Sequence, residues 1–239
     1  MGRVKRKRQQ KRMLIVLIEI ICLIVVGFGL YKVVNGRLEA AQEKKAAEQA
    51  EAEKKAEKPD KEQWNLILVN QWHAIPDDFE VTTAEVEDGY EVDERVADAL
   101  NEMLADCREA GYSPKIISAF RTRETQQYLY DNTANKSDTA IPGHSEHECG
   151  LAVDIIDADS AGWSDPLIDD QEDMPAQKWL MEHCQDYGFI LRYPKDKEDI
   201  TAIIYEPWHY RYVGKKDAKE IMKKGVCLEE YLGAEEKKE

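Results

Sequence analysis

Apolar and polar residues fall into three regimes along the chain. Residues 13–34, MLIVLIEIICLIVVGFGLYKVV, are almost continuously apolar, broken by Glu19 and by Lys32 near the far edge. About 20 apolar residues at roughly 1.5 Å rise span a bilayer core, so this run predicts one transmembrane helix. From Arg37 to Glu62 the pattern changes to Ala, Glu, Lys and Gln, with nothing apolar larger than Leu38. These are strong helix formers without a core-facing stripe, which predicts a polar, solvated helix ending at Pro59. A semi-rigid spacer fits this pattern; an Ala-only seam gives a coiled coil little to pack.

The third regime begins near Trp64 and is mixed, as a folded domain should be. Trp64 to Phe79 combines a strand-like apolar run with a Pro turn. Between Val92 and Ala110, the spacing of Val96, Leu100, Met103 and Leu104 predicts a helix, with Gly111 as its stop. Pro114–Phe120 reads as a strand and Arg121–Asp131 as a helix. Leu151–Ile156 is a strand, and Pro175–Tyr187 is a second amphipathic helix closed by Gly188. Phe189–Tyr193, Ala202–Tyr205 and Trp208–Val213 read as further strands, and Asp217–Val226 as a short helix, with Leu228–Leu232 trailing. The elements do not alternate strictly, and the later strands are close together. The predicted fold class is therefore α+β: a small antiparallel sheet flanked by helices, preceded by one transmembrane helix and the polar spacer.

Charge sharpens the topology. The first twelve residues hold seven basic groups and no acid; the other 26 basic residues face 48 acids, so the remainder carries about -22. A basic block alone suits a nucleic-acid tail. Lying directly before an apolar run, it instead predicts a cytoplasmic N-terminus by the positive-inside rule. A cleaved signal peptide would have a shorter apolar region followed by small residues, and Asn35-Gly36-Arg37-Leu38 fits that poorly. The expected organisation is a basic cytoplasmic tail (1–12), a membrane anchor (13–34), a helical spacer (35–62) and an exterior domain (63–233), at the cell membrane and with no nucleic-acid partner. Oligomeric state is left open. Cys107, Cys149, Cys184 and Cys227 lie beyond the span; four cysteines allow three pairings, or none if reduced.

Two stretches carry candidate chemistry. In Pro142-Gly-His-Ser-Glu-His-Glu-Cys-Gly-Leu-Ala-Val-Asp154, His147 and Asp154 are seven apart, which on a continuous strand sets them on opposite faces. Gly150 between them permits the turn or bulge that realigns them. Asp154 sits in an apolar run, where a carboxylate needs a counter-charge or a metal. In Tyr205-Glu-Pro-Trp-His-Tyr-Arg-Tyr212, Glu206 and His209 are three apart, with Pro207 opposing a helix interior. Spacing leaves open a salt-bridged Asp154 and a packed His209. Together, however, two imidazoles and one carboxylate match a catalytic zinc site with a fourth position free, and Glu206 remains as a spare acid–base group.

With these residues set out, Ser145-x-His147-x-x-Gly150-x-Ala152-x-Asp154 followed by Glu206-x-x-His209 resembles the zinc D-alanyl-D-alanine carboxypeptidases of the VanY type. The similarity extends to Ser118-Ala-Phe-Arg-Thr122, Gln126, Tyr187-Gly-Phe-Ile-Leu-Arg-Tyr-Pro194 and Leu68-Val-Asn70, covering roughly Trp64 to Gly214. The resemblance implies a Hedgehog/DD-peptidase-like fold and one Zn²⁺ per domain, held by His147, Asp154 and His209. It implies Glu206 as general base and then acid, and Arg121 on the substrate carboxylate or the oxyanion. Ser145, Gln126 and Ser118 would bind substrate or orient neighbours. His73, His144 and His183 are left as non-ligands. Phe120 stands where the family often has Tyr, and Cys149 where it usually has a polar residue.

The implied function is a membrane-anchored peptidase removing the C-terminal D-Ala of peptidoglycan stem peptides. Alternatives with the same chemistry are LD-carboxypeptidase or endopeptidase action. Alternatives of another class are a non-catalytic wall-binding module, or a scaffold acting through the anchor and spacer.

Overall fold

The structure, a computed structural model, describes residues 63–133 and 139–234. The expected tail, membrane helix and spacer lie outside the described residues. Among the described residues no helix is long and apolar enough to cross a membrane.

The chain enters through a hairpin of two short strands, β1 (Thr83–Glu85) and β2 (Glu91–Asp93). Asp88 and Gly89 turn between them with positive φ. Helix α1 (Glu94–Glu109) follows at once, its N-terminus capped by Asp93, which accepts from Arg95 N at 2.9 Å. Its buried face is Val96, Ala97, Leu100, Met103, Leu104 and Cys107, a helical stripe. Fully burying a residue such as Leu100 contributes roughly 2 kcal/mol.

Next come β3 (Pro114–Ser118), α2 (Arg123–Asn132), β4 (Ala152–Asp157), α3 (Pro175–His183) and β5 (Phe189–Leu191). The one-turn α4 (Glu198–Thr201), β6 (His209–Tyr212), α5 (Lys215–Lys224) and α6 (Leu228–Leu232) complete the order. Strands β3-β4-β6-β5 form one antiparallel sheet. Every residue of β4 is buried, as a central strand covered on both faces requires. Asp157, at the end of β4, accepts from Ala176 N at 2.9 Å in the first turn of α3 and so ties the helix to the sheet. A larger core joins the sheet to α1 and α3 through Leu100, Ile155, Leu180 and Phe189. A smaller one joins Leu66 and Ile190 to α5 and α6 through Ile221 and Leu228.

The α+β class and antiparallel sheet agree with expectation; several local assignments do not. Ala202–Tyr205 forms no strand. Strand β6 is already flanked by β4 and β5, and Ala202 takes φ 61° to end α4. The apolar run after Trp64 is irregular, with an isolated bridge between Asn70 and His73. There the Asn70 side chain accepts from Trp72 N and His73 N, both at 3.0 Å, in competition with a strand ladder. The helix expected from Pro175 to Tyr187 passes into a 3-10 turn at Cys184. The four described cysteines are free and buried.

Candidate metal centre

The sheet register assembles the site. Asp154 on β4 is the direct cross-strand partner of His209 on β6. On its other side Asp154 pairs with Ser118 of β3, across an irregularity in the register. His147 arrives differently. It sits in a 3-10 turn, Glu146–Cys149, that ends at Gly150 with φ 66°. A Cβ on Gly150 would lie 2.6 Å from Asp93 N, so only glycine permits this turn against the N-cap of α1. The turn resolves the odd spacing: His147 and Asp154 do not share a strand, and both face one point.

His147 Nδ1–H donates to Ala119 O at 2.8 Å, which leaves Nε2 as the free nitrogen, 3.3 Å from Asp154 Oδ2. His209 Nδ1 lies 3.1 Å from Asp154 Oδ1 and 3.5 Å from Glu206 Oε2. The ligating atoms of His147, Asp154 and His209 all fall within 4.8 Å of one another, and all three residues are buried. Asp154 Oδ1 is buried yet makes no hydrogen bond. Such an orphan in a native interior is costly unless something else binds it, and a cation between two imidazoles does so. The donor set, two nitrogens and one carboxylate oxygen, suits Zn²⁺ with a position left open.

The protein groups alone point the same way. Burial pushes His147 down to about 4, reinforced by the positive Arg121, so it is a neutral donor. Burial also opposes charge on His209, but the carboxylates of Asp154 and Glu146 outweigh it and raise its pKa to about 9. Carboxylates thus face both nitrogens of His209, Asp154 and Glu206 at Nδ1 and Glu146 at Nε2. Burial raises Glu206 to about 8, opposed by His209 and Arg121 and reinforced by Asp154. Positive charge added beside it would shift it back toward the ionised form needed of a base. With Glu206 ionised and the imidazoles neutral, Asp154, Glu206 and Arg121 leave one net negative charge for the cation.

Arg121 stands at the other edge of Asp154, its Nη2 3.0 Å from Oδ2. Its Nε and Nη2 also donate to Ser118 Oγ at 3.0 and 2.6 Å, and its Nη1 donates to Gln126 Oε1 at 3.3 Å. Gln126 is fully buried and spends its amide on Ala140 O at 2.7 Å. Ser118 and Gln126 therefore stand behind Arg121 and do not line the cleft, whereas Ser145 does. That cleft, of about 480 Å³, opens over the cluster. Arg121, Ser145 and Glu206 supply its polar wall, and Leu129, Leu167, Ile203, Ile204 and Trp208 its apolar one. Phe120 and His144 lie outside it. The buried Glu146, which also borders the cleft, went unread in the sequence. It is one of several acids around His147, and only the packing of Arg192 and Arg211 against it sets it apart.

Residues 89–215 match the model of the family described as VanY, D-alanyl-D-alanine carboxypeptidase. The chain belongs to this family. It is 37% identical over 195 residues to a D-alanyl-D-alanine carboxypeptidase of Enterococcus faecalis, covering 75% of this chain and 69% of that one. Its fold is similar to a zinc-bound D,D-pentapeptidase VanY from a VanB-type resistance cassette (TM-score 0.63, 36% identity, 71% of this chain and 99% of that chain). It is also similar to the LD-carboxypeptidase LdcB (TM-score 0.61, 36% identity, 73% of this chain and 89% of that chain). Family membership and the His–Asp–His cluster make this chain a zinc peptide hydrolase of the VanY carboxypeptidase type.

Proposed function

We propose that this chain is a membrane-anchored zinc carboxypeptidase that removes the C-terminal D-Ala from peptidoglycan stem peptides outside the cell. The observation that carries the catalytic reading is the unsatisfied, buried Asp154 Oδ1 between His147 and His209. These three residues hold one zinc. When bound, the metal supplies Lewis-acid activation of the scissile carbonyl and of a water molecule. Glu206, at the cleft wall beside His209, takes the proton of the attacking water and returns it to the departing D-Ala amine. Arg121 presents a fixed guanidinium to the peptide's terminal carboxylate or to the developing oxyanion. Ser118 and Gln126 keep that guanidinium aimed, and Ser145 lines the substrate path.

The location rests on the sequence. The apolar run 13–34 with its basic N-terminal flank supports a single-pass anchor with a cytoplasmic N-terminus. Residues 35–62 then act as a spacer, lifting the domain toward the wall. Equal identity to LdcB supports a second reading, in which the same centre cuts the D-Ala of a tetrapeptide from an L-centre. D-Ala release by the full-length, zinc-loaded protein, measured side by side on pentapeptide and tetrapeptide, tests both. Faster release from pentapeptide is expected. Release from tetrapeptide alone would transfer the assignment to LD cleavage, and release from neither would favour a binding module.

A further inference from the structure

We infer that Glu146 is a positioning residue of the zinc centre, clamped by Arg192 and Arg211 so that its free oxygen accepts the His209 Nε2–H and turns Nδ1 toward the metal. This rests on the metal centre proposed above and extends it to a residue outside the proposed ligand set, in contact with the far nitrogen of His209.

The geometry divides the Glu146 carboxylate into two halves. Oε1 accepts from Arg192 Nε at 2.7 Å and from Arg211 Nη1 at 2.6 Å. Oε2 has neither arginine and lies 3.4 Å from His209 Nε2. Arginine has donors only, so neither guanidinium competes with Glu146 for the histidine proton. Each is also held from its far side. Arg192 Nη1 and Nη2 donate to Glu229 at 2.9 and 2.6 Å, and Glu229 accepts from Asn70 Nδ2 at 3.1 Å. Arg211 Nη2 donates to the carbonyls of Asn65 and Ile67 at 3.2 and 2.9 Å. All four charged side chains are buried, and two acids balance two bases. Glu146 therefore needs no charge from His209 and can serve a neutral imidazole. Carboxylates behind metal-bound histidines set the tautomer and the ring orientation.

Glu146→Gln tests this with nearly unchanged shape. The glutamine carbonyl must face the two arginines, which leaves its NH₂ group toward His209 Nε2. Two donors then oppose each other, and the ring is driven to carry its proton on Nδ1, where zinc should bind. The control is Glu229→Gln, which alters the same buried network but touches no ligand. Zinc affinity of the full-length protein is measured by competition with a chromogenic chelator. Glu146→Gln is expected to weaken zinc by about 10- to 100-fold, and Glu229→Gln to bind like wild type. Equal weakening in both variants would reduce Glu146 to a member of a structural network and overturn the inference. Wild-type affinity in Glu146→Gln would also overturn it, while leaving the metal centre intact; a wild type that binds no zinc overturns both. If Glu146→Gln does not fold, ¹⁵N spectra of the imidazoles in the zinc-loaded wild type decide, since the chain has only five histidines. A His209 Nε2–H shifted downfield by a hydrogen bond to the carboxylate is expected, and one at the position of an unbonded imidazole would overturn the inference.

Discussion

Two groups of buried charges meet at His209, and they are built on opposite terms. Behind it, Arg192, Arg211, Glu146 and Glu229 are completely buried, electrically balanced and bonded at short range. In front, Asp154 keeps an oxygen with no hydrogen bond, beside two imidazoles and the raised Glu206. Burial of charge is expensive in both places. The rear group offsets that cost within itself and so holds the structure. The front group does not, and its deficit has the sign and shape of a cation. Incompleteness, more than burial or charge, marks the reactive side.

The largest effect should come from the front group. Glu206→Gln is expected to lower kcat for D-Ala release by about 10²–10⁴-fold while zinc content stays at the wild-type level. A variant that loses zinc and activity together would make Glu206 a ligand and blur the contrast. Arg121→Lys should come next, lowering kcat/KM by about 10²-fold, because an ammonium cannot hold Ser118, Gln126 and Asp154 while still facing the cleft. Little change there would place the oxyanion contact elsewhere.

The rear group should answer in stability. Glu229→Gln leaves Arg192 short of a counter-charge and is expected to cost about 3 kcal/mol in denaturant unfolding, with activity per folded molecule preserved. A loss of activity without loss of stability would contradict the division. A smaller test uses pH. In the metal-free protein Glu206 titrates near 8, against an ordinary 4.5 in the unfolded chain. Between those values the native state binds the extra proton, so stability falls as pH rises, by at most about 1.4 kcal/mol per pH unit. Glu206→Gln lacks this term. Its unfolding free energy, measured without metal, should therefore gain on wild type from pH 5 to pH 8. A constant difference would mean that Glu206 is not desolvated.

How much of this was legible in the sequence depended on the range of the interaction. The spacing of Val96, Leu100, Met103 and Leu104 predicts α1 because one helical face meets one core. The two metal motifs were legible as residue types, and family resemblance singled out four residues that the fold brings together. Their convergence was not legible, because it depends on the Asp154–His209 register and on the left-handed Gly150. Ala202–Tyr205 misled because apolar residues there line a cleft and do not extend the sheet. The β1–β2 hairpin left little trace, being three residues a side and largely polar. Glu146 was hidden among neighbouring acids; its partners, Arg192 and Arg211, lie 46 and 65 residues away.

Whether Asp154 is buried to hold a metal and not an arginine is decided by zinc stoichiometry of wild type and Asp154→Asn under the same chelator. One zinc per wild-type chain and far less than one in the variant are expected, because the amide is uncharged and Arg121 still occupies its other side. One tightly held zinc in Asp154→Asn, or none in the wild type, would contradict a metal role for Asp154.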